Sequence, residues 1–196
     1  MQTWYSSVIA RRIGRRSAIG IAVALLASCS PGYDLSPLPN YDGTRYRLGV
    51  GDQVRLITFG VEALTGSFRV NDTGDIELPL LGAYRAAGLT TRALQAALSA
   101  EVVRRKLLNA PSISVEVLEY RPIFVLGEVN RPGQYPYQPG MKVLTAVAVA
   151  GGFTYRAVQG RAQALRSDGP ATTTGRVDPD AFVAPGDVIT VLERYF

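Results

Sequence analysis

The chain has no histidine and a single cysteine, Cys29, in 196 residues. The first absence removes imidazole from any acid–base or metal chemistry, and the second removes internal disulfides and cysteine metal clusters. Paired carboxylates are also missing: Asp72 and Asp75 fall at a turn, and Glu77 lies on the polar side of an alternating stretch. Neither a catalytic residue nor a metal ligand set is therefore assigned, and no cofactor is expected. No apolar run is long enough to span a bilayer as a helix, which takes about 20 residues. A charge of one sign is lacking too. The formal +5 includes Arg11, Arg12, Arg15 and Arg16 and no acid before Cys29, so removing those four leaves +1. Nucleic-acid binding would need a basic stripe. The only local cluster after Cys29, Arg104-Arg105-Lys106, suits the solvated last turn of a helix, where the macrodipole favours cations. No nucleic-acid partner is expected.

What is present begins with an address. The four arginines precede the short apolar run Ser17 to Ala27, the pattern of a signal peptide over residues 1–28. Leu26-Ala27-Ser28-Cys29 matches a lipobox, which leaves the Cys29 thiol for a diacylglyceryl group. Arg15-Arg16-Ser17 faintly resembles a twin-arginine export signal, and the export route stays open. Residues 29–44 then read as the lipidated N-terminus and a tether, with Pro31, Pro37, Pro39, Gly32 and Gly43 and no helical or strand period. Such a tether reaches about 20 Å as a coil and at most about 50 Å extended.

The remainder, 47% hydrophobic over the whole chain, supplies a core for one domain or two small ones. Gly51-Asp52 is a turn feeding a strand through Phe59, since Gly51 can take positive φ and Asp52 can bond its own backbone. Phe68 to Val70 and Asp75 to Leu78 flank Asn71-Asp72-Thr73-Gly74, the residue types of a hairpin loop. Pro79 ends the second of these, and Ala83 to Ala86 reads as a short strand. Thr90 or Thr91 caps a helix whose Leu94, Leu98 and Val102 share one face, and Ile113, Val115 and Val117 alternate as a strand. Pro122 to Val129, the turn Asn130-Arg131-Pro132-Gly133 and Gln134 to Tyr137 form a second expected hairpin. A helix from Met141 to Ala150 stops at Gly151-Gly152. Ala162 to Arg166 is a candidate strand, Thr172 to Gly175 a polar loop, and Pro185-Gly186-Asp187 opens a last strand from Val188 to Leu192. Its Gly-Asp step echoes Gly51-Asp52 as shared turn physics.

In order and spacing these residues resemble the outer-membrane polysaccharide export (OPX) lipoproteins: Tyr46-x-Leu48-x-x-Gly51-Asp52, Asp72-x-Gly74-x-Ile76-x-Leu78-Pro79, Pro111-x-Ile113-x-Val115, Val125-x-Gly127-x-Val129-x-x-Pro132-Gly133, Ala150-Gly151-Gly152 and Pro185-Gly186-Asp187-Val188-Ile189. The resemblance implies an α+β chain: a small mixed sheet and helix export domain over residues 45–119, then an SLBB (soluble ligand-binding β-grasp) domain over 120–196. Its motif glycines, prolines and aspartates have structural turn roles. It implies a homo-oligomeric ring that conducts polysaccharide, usually with an inner-membrane polysaccharide co-polymerase, and no bond-making chemistry. With one β-grasp module and no C-terminal helix, this is expected to be a short form, held to the membrane through its lipid anchor, with a separate outer-membrane β-barrel as pore. The alternative is a monomeric periplasmic glycan-binding or scaffold lipoprotein. Tyr84 and Arg85, or Tyr135 and Tyr137, are candidate sugar contacts, though aromatics in such strands more often serve the core or a subunit contact.

Overall fold

The computed structural model describes residues 32, 34–43, 46–169 and 171–194. Cys29 and the signal peptide lie outside the described residues.

The fold is α+β, with two hydrophobic cores in chain order. In the first module, β1 (Gln53–Phe59) alternates so that Val54, Leu56 and Thr58 point inward. It is the middle strand of a three-stranded antiparallel sheet, between β2 (Gly66–Arg69) and β5 (Ser112–Glu119). Leu56 lies opposite Val115. The helix α1 (Thr91–Arg104) is capped by Thr90, whose hydroxyl accepts the Ala93 N–H at 3.1 Å, and it buries Leu94, Leu98 and Val102. A separate ribbon, β3 (Asp75–Leu78) with β4 (Gly82–Arg85), completes the module.

One expected hairpin is redistributed. The turn at residues 71–74 exists, closed by Gly74 N–H to the Asn71 carbonyl at 3.0 Å. The strands on either side of it nevertheless belong to different sheets, β2 with β1 and β3 with β4. The Asn71 side chain takes the Asp75 N–H at 2.8 Å and turns the chain out of the first sheet.

The second module is one five-stranded mixed sheet in the order β7-β6-β10-β8-β9. Its strands are β6 (Ile123–Gly127), β7 (Gly133–Tyr135), β8 (Ala162–Asp168), β9 (Ala171–Val177) and β10 (Val188–Val191), with α2 (Val143–Val149) after β7. Two hairpins flank a last strand inserted parallel to the first, which is the β-grasp order. Ile123, Val125, Ala146, Val147 and Ile189 fill its core. Gly127 ends β6 at φ +81°, and a Cβ there would overlap the Val191 carbonyl oxygen, so this motif glycine is fixed by the β6–β10 pairing.

Two expectations change here. Thr172 to Gly175 is not a loop but part of β9, paired with β8 from Asp168–Ala171 to Ala162–Val177. Residues 171–174 are exposed, so no inward alternation marks the strand, and β-branched threonines suit such an edge. The second change concerns the stretch read as a tether. Leu38 is buried in the second core, and Pro37 bridges Arg176 in parallel, with Leu38 N–H to the Arg176 carbonyl and Arg176 N–H to the Ser36 carbonyl, both 2.8 Å. Residues 36–41 therefore form a docked arm, invisible to periodicity because a single bridge carries no repeat.

Candidate functional site

The two Gly-Asp turns stand beside one another, because the chain enters the parallel strands β6 and β10 from the same end, through Arg121-Pro122 and Pro185-Gly186-Asp187. In the first turn Gly51 adopts φ +94° and donates to the Val70 carbonyl at 3.0 Å. That places the Asp52 carboxylate, which has no solvent exposure, inside the junction. It accepts the Gly49 N–H at 2.7 Å, the Tyr46 hydroxyl, and the Arg121 backbone N–H at 2.8 Å. The Arg121 guanidinium lies 3.7 Å from the same carboxylate and donates through Nε to the Pro185 carbonyl at 2.9 Å. A Cβ on Gly186 would stand 2.7 Å from that Nε, so the second turn needs glycine both for its φ of +85° and to admit Arg121.

Asp187 is the counterpart in the second module. Its carboxylate accepts the Ala184 N–H at 2.8 Å and two bonds from Arg166, Nε at 3.0 Å and Nη2 at 2.7 Å. Arg166 also donates to the Pro39 carbonyl at 3.0 Å and lies 5.4 Å over the Tyr41 ring. Each buried aspartate thus holds an arginine that reaches beyond its own turn, one to the neighbouring module and one to the arm.

Tyrosines collect around these arginines. Tyr46 and Tyr120 meet edge to face with centroids 5.1 Å apart, and Tyr120 and Tyr137 do so at 5.3 Å, both at 67°. Such geometry satisfies ring quadrupoles. Tyr41 and Tyr46 lie between two cavities. One, about 340 Å³, is walled by Tyr120, Tyr137, Pro139, Gly140 and Phe182, and the other, about 400 Å³, by Arg47, Arg121, Arg166, Asn40, Ser167 and Thr173. A third hollow of about 690 Å³ continues past Tyr120 and Tyr137 towards Gln134 and Gln138. Each has the size of an ordinary small-molecule site, about 300–1,000 Å³. Burial raises the pKa of all four phenols. For Tyr46 the hydrogen bond to Asp52 adds to it, and for Tyr120 the Asp52 charge does. Their hydroxyls stay neutral and can both donate and accept.

The sites expected from sequence divide. Gly51, Asp52, Gly186 and Asp187 meet at the junction. Gly127, Pro132, Gly133, Gly151 and Gly152 belong to the other end of β6 and β10, where Asn130 Nδ2 binds the Gly151 carbonyl at 2.8 Å. Asp72, Gly74 and Pro79 shape the β3–β4 ribbon, with Gly74 O accepting both Ala86 and Ala87 N–H. Of the sugar candidates, Tyr137 lines the cavity of about 340 Å³ and the third hollow. Tyr135 lines the third hollow, and its hydroxyl donates to the Arg131 carbonyl at 2.5 Å. Tyr84 packs on the first core, while Arg85 donates to the Thr73 carbonyl and lies 3.7 Å from Asp75. Tyr41, Tyr46, Tyr120, Arg121 and Arg166 were not legible as a site. Their one sequence signal is that tyrosines flank each module boundary. No group of residues able to hold a metal occurs among the described residues.

Comparison with known proteins gives two family matches: polysaccharide biosynthesis/export protein over residues 40–118, and SLBB domain over 122–174. The exopolysaccharide production protein ExoF of Rhizobium meliloti is 36% identical over 119 residues, 55% of this chain and 28% of its own. The EPS I polysaccharide export outer membrane protein EpsA of Ralstonia nicotianae is 29% identical over 157 residues, 74% of this chain and 40% of its own. The polysialic acid transport protein KpsD of Escherichia coli is 28% identical over 109 residues, 55% of this chain and 19% of its own. The chain therefore spans less than half the length of each.

Proposed function

This chain belongs to the polysaccharide biosynthesis/export family, with an SLBB domain after its export domain, and from that premise we propose that it is a periplasmic, outer-membrane-anchored part of an exopolysaccharide or capsule secretion machine. Copies assemble into a ring that conducts polymer towards the outer membrane. The observation that carries this reading is the succession of the two family matches, each lying over one of the two cores. The matched families are those of export proteins rather than of enzymes.

Anchoring falls to acyl chains on Cys29, with an inner-membrane co-polymerase and an outer-membrane β-barrel as partners. No helix among the described residues is long and apolar enough to cross a membrane. The docked arm limits the geometry: from Cys29 to Ser36 the chain spans at most about 25 Å. The second module is then the part held close to the membrane, and the first hangs further into the periplasm.

Deleting the gene and measuring polymer in the medium and inside the envelope tests the proposal. Export should fall while synthesis continues, and Cys29→Ser should restore it only in part. Undiminished export without the protein would refute the role. Electron microscopy of the lipidated protein separates the ring from a monomeric glycan-binding lipoprotein.

A further inference from the structure

We propose that the tyrosine-lined cleft between the modules is a glycan-binding subsite that takes an uncharged pyranose unit of the transported polymer. This rests on the export reading above and deepens it, because it names where the chain grips its cargo and by what chemistry.

A pyranose ring has apolar C–H faces and a rim of hydroxyls. The cleft offers the complement of both. Tyr46, Tyr120 and Tyr137 present phenol rings held at fixed angles by two edge-to-face contacts, with Phe182 at the rim 45% exposed. Rigid amphipathic rings give contact area at low entropy cost. The adjoining chamber adds Asn40, Ser167 and Thr173, the amide and hydroxyl groups that pair with sugar hydroxyls. Asp42 borders both chambers.

Charge decides between neutral and acidic sugars. Arg47, Arg121 and Arg166 line the polar chamber, but Arg121 and Arg166 are held by the buried Asp52 and Asp187, and Asp42 faces the same space. Cations and carboxylates therefore balance. A cleft for a polyanion would leave arginines uncommitted, as an electrostatic funnel requires. Weak binding at each copy suits a conduit, which must release what it holds, and a ring would multiply it.

The test uses the protein purified from the host envelope in detergent, with ¹³C-labelled tyrosine rings. The probe is the host's own secreted polymer, partially hydrolysed and separated by anion exchange into neutral and acidic oligosaccharides. Neutral fragments should shift the ring signals of Tyr46, Tyr120 and Tyr137 saturably and leave exposed Tyr155 unmoved. Tyr120→Ala should weaken binding about three- to tenfold, the range that a ring contact implies, and Tyr120→Phe should keep it within about twofold. Should Tyr120→Ala fail to fold, Phe182→Ala at the rim should weaken binding in its place. Binding of the acidic pool alone overturns the inference. So does wild-type affinity in folded Tyr120→Ala, or ring shifts that follow protein concentration without sugar, which would make the cleft a contact between copies. If deletion abolishes export yet neither pool binds, the subsite fails and the export role stands. If neutral fragments bind while deletion leaves export intact, the export role fails and the subsite remains.

Discussion

The two Gly-Asp turns share a local sequence and differ in what they hold. Asp187 closes its turn within the second module: Ala184, Arg166 and the β8–β10 pairing are all its own. Asp52 closes its turn on the crossover, accepting the Arg121 N–H, and Arg121 carries the connection on to Pro185. The same dipeptide therefore builds a module in one place and joins two modules in the other. The difference lies in where the partner arginine comes from, 21 residues upstream for Asp187 and 69 downstream for Asp52.

The largest expected effect comes from Asp187→Ala. It strands Arg166, which is 16% exposed, without its carboxylate, and should cost about 3–5 kcal/mol in chemical denaturation. Asp52→Ala should cost less, about 1–3 kcal/mol, by orphaning the Gly49 and Arg121 N–H groups. It should also split one unfolding transition into two, since the modules then lose their shared contact. A single cooperative transition in that variant would break the comparison. Arg121→Met keeps an apolar stem between Gly49 and Gly186 and removes the bond to Pro185. About 1 kcal/mol should be lost, with amide exchange rising at residues 184–187 and not in α1.

The smallest effect lies away from both turns, where Glu101 binds Arg104 at 2.6 Å and Arg105 at 2.6 Å. Hydrogen bonds from Arg104 and Arg105 lower its pKa to about 2. A carboxyl depressed in the folded state stabilises above its unfolded pKa, near 4.5, and loses that contribution as pH falls towards about 2. Glu101→Gln should flatten the acid limb of α1 stability in this window and leave the junction unchanged. Arg105 also donates to the Leu80 and Leu81 carbonyls, at 2.9 and 3.1 Å, so the basic cluster pins the β3–β4 ribbon to the helix.

Much of the fold was legible because periodic burial writes itself into sequence. Leu94, Leu98 and Val102 mark α1, Val54 and Leu56 mark β1, and the Thr90 cap appears as expected. β9 was not legible, since an exposed threonine edge has no inward face to alternate. The arm was not legible either, because Leu38 is a single apolar residue among prolines whose partner, Arg176, lies far along the chain. The cleft escaped for a related reason: Tyr41, Tyr46, Tyr120 and Tyr137 belong to four separate segments, brought together by the joining of the modules through Asp52 and Arg121 and by the docked arm that Arg166 holds. The Gly-Asp motifs were read as turns, and in the structure they are turns. Their long-range partners were the hidden part.

Photo-crosslinking in secreting cells tests the central claim most directly, that polymer leaves by way of this junction. A benzophenone amino acid in place of Phe182, at the rim of the cleft, should yield on irradiation an adduct carrying the sugars of the exported polymer, and the same probe at Tyr155 should not. Cells that secrete normally and give no glycan adduct at position 182 above that at 155 would contradict it.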